Sequence, residues 1–124
     1  MPRFEPFFVI ISACPYPMDV VFALDSSYNV TQSEFEEQKS FVLTTISAFT
    51  ISKSKTHVGV ITVSETARKD VELTEYSDPD LLRARVSLLQ PRKTPASSPT
   101  SRLRDMLRKA LEIFKAGIRS RVRT

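Results

Sequence analysis

Apolar runs and helical stripes alternate along this chain. Val20-Val21-Phe22-Ala23-Leu24 is continuously apolar, β-branched at its start, and stops at Asp25-Ser26-Ser27. Such a run reads as a strand covered on both faces, as parallel sheets require. Thr31-Gln32-Ser33-Glu34 then has capping-box spacing, T-x-x-E. Behind it Phe35, Val42, Ile46 and Phe49 fall at helical intervals, with Gln38 or Lys39 in the one gap. This predicts a helix of about four turns. His57–Val63 (HVGVITV) is a second apolar, β-branched run. After the turn Ser64-Glu65-Thr66-Ala67, Lys69–Leu73 alternates polar and apolar residues. That pattern suits a charged edge strand, antiparallel to its neighbour because the connection is short.

Asp78 and Pro79 mark a helix start, as N-cap and first helical residue, with Leu82, Val86 and Leu89 on one face and Pro91 as the stop. Pro91–Pro99 is a Pro/Ser/Thr-rich loop. Thr100 or Ser101 then caps a last helix with the stripe Leu103, Leu107, Ala110/Leu111 and Phe114, ended by Gly117. The order β-α-β-β-α-α gives the fold class: α/β, part of a doubly wound, mostly parallel sheet with one antiparallel edge strand. Three strands are few for three covering helices, so the expectation is an incomplete domain. Residues 1–17 form an N-terminal arm or remnant signal segment, 18–117 the partial domain and 118–124 a basic tail.

Composition narrows the chemistry. The 124 residues hold two glycines, Gly59 and Gly117, which excludes a dinucleotide-binding turn, a P-loop and a nucleophile elbow. One histidine, His57, and one cysteine, Cys14, exclude zinc-finger spacing and an internal disulfide. His57 reads as the end of a loop at a strand start. No apolar run approaches the roughly 20 residues of a membrane span. Phe7–Ala13 barely reaches the minimum of a secretory signal, leaving a remnant signal or an irregular arm open. Residues 1–90 carry 8 Lys/Arg and 12 Asp/Glu, whereas 91–124 carry 10 and 2. A basic end of this kind attracts nucleic acid or acidic lipid, or is simply a solvated helix face. Its one aromatic, Phe114, lies on the apolar stripe, so a base-stacking platform is missing. Arg92-Lys93 reads as a solvated pair.

Asp25, Ser27 and Asn29 occupy the loop at the C-terminal end of the first strand, the edge where open α/β sheets bind ligands. One carboxylate and two neutral oxygen donors at every second residue can converge on a hard cation such as Mg²⁺. The same residues are also ordinary loop and cap formers. Spacing alone leaves both readings open.

Met18–Ser27 (MDVVFALDSS) resembles the first strand and metal loop of a von Willebrand factor type A domain. His57–Ala67 (HVGVITVSETA) is similar to that family's second strand and its turn into the antiparallel edge strand, and the likeness continues through the Asp78-Pro79 helix. The resemblance implies a metal-ion-dependent adhesion site, with the family's D-x-S-x-S loop matched by Asp25 and Ser27 and with Asn29 in place of the second serine. It implies a third ligand from Thr100, or Ser101, in a loop where Pro99 replaces the family's glycines. A fourth element, an Asp after the next strand, would lie beyond Thr124, as would the partner that secreted members supply for Cys14; an unpaired arm cysteine is the alternative. The implied protein is a secreted, extracellular adhesion or matrix module, not an enzyme. It would bind a protein ligand's Asp or Glu through Mg²⁺, with matrix or collagen-like partners. The expected truncation would impair that site and leave the first strand's outer edge open to self-association. Two competitors remain: a basic-tailed binder of nucleic acid or acidic surfaces, and a phosphohydrolase using Asp25. The latter wants an acid where Ser27 stands.

Overall fold

In the computed structural model, which describes residues 16–92 and 99–122, β1 (Asp19–Asp25) and β2 (His57–Val63) pair in parallel from Asp19↔His57 to Asp25↔Val63. β3 (Ala67–Val71) pairs antiparallel to β2, giving the sheet order β1-β2-β3. The helices are α1 (Gln32–Ile46), α2 (Pro79–Ser87) and α3 (Pro99–Val122). The fold is α/β with a mixed sheet and apolar clusters on two sides. One joins Leu24, Val58, Val60 and Val71 to Phe35, Val42 and Ile46 of α1 and Leu82 and Val86 of α2. The other joins Ile61, Val63, Ala67 and Leu73 to Ile113 of α3, flanked by Met106, Ala110 and Phe114. Every residue of β2 is buried, because helices cover both of its faces and a strand lies on each side.

The expectation of full cover fails for β1. Only Leu24 is buried, and Ala23 is exposed. β1 has β2 as its one neighbour among the described strands.

The capping box of α1 forms as its spacing predicts: Thr31 Oγ1 accepts from Glu34 N at 3.1 Å, and Glu34 Oε1 accepts from Thr31 N at 2.9 Å. The polar gap in its apolar stripe is filled by Lys39, which is buried. Its Nζ donates to the Ser87 and Leu89 carbonyls at 2.7 and 2.9 Å. A cation thereby meets the carbonyl end of α2, where the helix dipole favours it.

The edge strand lies two residues earlier than its alternation predicts. A register shift between Val60 and Ile61 interrupts the pairing, and Asp70 turns inward. There it accepts from Thr62 Oγ1 at 2.6 Å and Arg68 Nε at 3.0 Å. Arg92, expected to be solvated, donates to the carbonyls of Thr62 and Thr66 and so clamps the β2–β3 turn. Burial pushes its pKa below the usual arginine value, as does Arg68, while Asp70 and Asp105 oppose the shift.

The last helix differs most from expectation. It begins at Pro99 and runs through Gly117 to Val122. Leu103, Leu107 and Leu111 are 53%, 57% and 53% exposed, whereas Ile113 is fully buried. Ala110 and Phe114 do face the core, so the packed face is rotated from the predicted stripe. The glycines explain the seating. A Cβ on Gly59 would lie 3.1 Å from Ile113 Cγ2 and from the Val71 carbonyl, and one on Gly117 would lie 2.7 Å from Leu73 Cδ1. Both glycines mark close approaches of α3, and Gly117 is not a helix stop.

Candidate metal site at the end of the first strand

Leu24 anchors the end of β1 in the core, so Asp25 emerges at the sheet's C-terminal edge with its side chain 49% exposed. The loop that follows is held from two sides. Ser26 N donates to the Val63 carbonyl at 2.8 Å, extending the parallel pairing by one residue. Asp25 Oδ1 accepts from Ser27 N at 3.0 Å, and Val30 N donates back to the Ser27 carbonyl at 3.0 Å, a turn that delivers the chain to Thr31. Ser27 is buried, while Tyr28 and Asn29 are exposed.

The capping role of Asp25 is formed. One oxygen braces the loop, and the carboxylate still faces solvent. Ser26 is fully buried, and its Oγ has no hydrogen-bond partner among the described residues. A hydroxyl left in that state costs about 1–3 kcal/mol. Asp25 is the nearest charge to it along the chain.

Two residues not singled out for this site reach Asp25. Gln38 of α1 bonds the Asp25 backbone twice, with Asp25 N donating to its Oε1 and its Nε2 donating to the Asp25 carbonyl, each at 2.8 Å. Arg102 of α3 places NH1 at 3.8 Å from Asp25 Oδ1. Gln38 was visible in the sequence only as a polar residue in the apolar stripe. Nothing local marked Arg102.

The side chains of this loop, Asp25, Ser26, Ser27 and Asn29, offer oxygen atoms and a single negative charge, the chemistry of a hard cation that keeps several waters. They do not suit a soft or tightly caged metal: among the described residues no group of three His, Cys, Asp or Glu side chains comes together. The Thr100 and Ser101 side chains lie outside the described residues, as does Cys14. Thr100 falls in the first turn of α3. His57, at the start of β2, is buried with Nε2 at 2.9 Å from the Lys53 carbonyl and Nδ1 at 3.6 Å from Asp19 Oδ1, away from this loop.

A family model described as the von Willebrand factor type A domain matches residues 19–123. Matrilin-3 of Mus musculus is 34% identical over 82 residues, which is 66% of this chain and 17% of that protein. The collagen alpha-5(VI) chain of Homo sapiens is 30% identical over 105 residues, 84% of this chain and 4% of that one. The chain thus spans a small part of each relative. Among solved structures, proximal thread matrix protein 1 from the mussel byssus, with a zinc-occupied MIDAS motif, aligns at a TM-score of 0.66 and 19% identity. That alignment covers 74% of this chain and 24% of that one, a likeness of fold.

Proposed function

The chain belongs to the von Willebrand factor type A domain family, and from that premise we propose that it is an extracellular, matrix-directed protein-interaction module whose ligand docks at the β1–α1 loop with the help of a divalent cation. One observation carries this reading. The half-exposed Asp25 carboxylate stands at the C-terminal edge of the sheet, with its backbone fixed by Gln38 and with the N–H of the buried Ser27 donating to it. Relatives among the matrilins and collagens support a matrix setting, and with it a secreted location and a protein partner.

Asp25 and Ser27 would hold the ion, with Asn29 and Thr100 as the further oxygen donors. Bound Mg²⁺ supplies a positive centre able to accept a carboxylate from outside. The chain's own part is to hold the Asp25 backbone still through Gln38 and to leave one side of the carboxylate open to a ligand's Asp or Glu. This is binding, not turnover. The position two residues after Asp25 holds Ser27, so the acid that a phosphohydrolase needs there is lacking.

Surface plasmon resonance over immobilised collagen tests the proposal. Binding in Mg²⁺ that disappears in EDTA and in Asp25→Ala supports it. Equal binding with and without Mg²⁺, unchanged in Asp25→Ala, would refute it.

A further inference from the structure

The ion pair between Arg102 and Asp25 bears on how this site loads. Arg102 lies near the start of α3, and α3 also packs on the core through Ile113. Its NH1 sits 3.8 Å from Asp25 Oδ1, the same oxygen that accepts from Ser27 N. That separation is a charge contact rather than a hydrogen bond. Arg102 makes no other ion pair among the described residues, and neither does Asp25. Arg102 Nε is buried and has no hydrogen-bond partner among the described residues. The guanidinium is therefore held beside Asp25 by charge, with its Nε left without a partner among the described residues.

We propose that Arg102 is a built-in counter-cation for Asp25, which a divalent metal must displace before the site can load. This rests on the reading of Asp25 as the metal-binding carboxylate and adds a determinant of its affinity. With Arg102 in place the strand-end site has no net charge, so an arriving Mg²⁺ meets both a neutralised ligand and a like charge a few ångströms away. Two features make displacement feasible. Arg102 is 26% exposed and Asp25 49%, so the pair is in part reached by solvent and its attraction is screened. The long side chain can also swing away without moving α3. Selectivity follows as well: a doubly charged ion competes with the guanidinium far better than Na⁺ or K⁺ does.

Calorimetric titration of the full chain with Mg²⁺ alone tests this. The proteins are the wild type, Arg102→Gln, Asp25→Ala and the double variant. Arg102→Met is a second neutral replacement that keeps the apolar stem. Thermal unfolding of each confirms that it is folded. Removing the charge should tighten Mg²⁺ binding several-fold, up to ~10-fold, given charges about 4 Å apart that solvent partly screens. The gain should vanish when Asp25 is also replaced. If the wild type binds Mg²⁺ through Asp25 but both neutral variants bind no more tightly, the role of Arg102 is overturned and the Asp25 site stands. If no folded variant shows Asp25-dependent binding, the metal reading itself falls, and this inference with it.

Discussion

Gln38 acts on Asp25 as a one-residue strand. In a β-strand the N–H and C=O of one residue point to the same side. At Asp25 both are met by the Gln38 amide, each at 2.8 Å, on the side away from β2. The open edge of β1 is thus closed at the residue that carries the site's charge. Replacing Gln38 with Ala should cost about 1 kcal/mol in urea unfolding, the net worth of such bonds at a solvated position. It should also weaken Mg²⁺ binding more than Gln38→Glu, which keeps one acceptor.

The face of α3 that packs can be tested by a paired truncation. Ile113 is fully buried, so Ile113→Ala should destabilise by about 2–5 kcal/mol. Leu107 is 57% exposed, and Leu107→Ala should stay within about 0.5 kcal/mol. Equal losses in chemical denaturation would place the leucine stripe in the core.

Gly117 permits the close seating of α3 on Leu73. Valine there would drive a branched side chain into a buried leucine and should cost about 1–3 kcal/mol. Alanine should fall between glycine and valine, because its gain of about 1 kcal/mol in helix propensity offsets part of the 2.7 Å clash with Leu73 Cδ1. Thermal unfolding of the three proteins should therefore rank glycine and alanine above valine.

Asp70 is the buried anion of the β3 edge. It pairs with Arg68 at 3.0 Å and Arg85 at 3.8 Å and accepts from Thr62. Asp70→Ala leaves these donors facing a cavity and should cost roughly 3 kcal/mol. Asp70→Asn should recover part of that loss, since the amide oxygen still accepts from Thr62. Identical unfolding midpoints for wild type and Asp70→Ala would show that Asp70 does not organise this edge.

What could be read from the chain was what is local. The apolar runs of β1 and β2, the T-x-x-E box at Thr31 and the Asp78-Pro79 helix start each carry their own physical signal. β3 was displaced because a register shift between Val60 and Ile61 breaks the alternation on which the reading relied. The packed face of α3 differs because a leucine stripe and the face of Met106, Ala110, Ile113 and Phe114 adjoin on that helix, and close contact at Gly59 and Gly117 decides which side faces the sheet. The same limit holds at the candidate site. Asp25, Ser27 and Asn29 stand together in one loop, so spacing alone raised them as candidates beside the capping reading. Gln38 and Arg102 reach Asp25 from α1 and α3, and only the packing of those helices brings them there.

The most direct test is a two-dimensional ¹H–¹⁵N NMR titration of the folded chain with Mg²⁺. The account predicts saturable shifts centred on the amides of Asp25, Ser26 and Ser27, accompanied by a change at the Arg102 side chain and abolished in Asp25→Ala. Shifts scattered over exposed acidic residues such as Glu34 and Glu37, or persisting in Asp25→Ala, would contradict it.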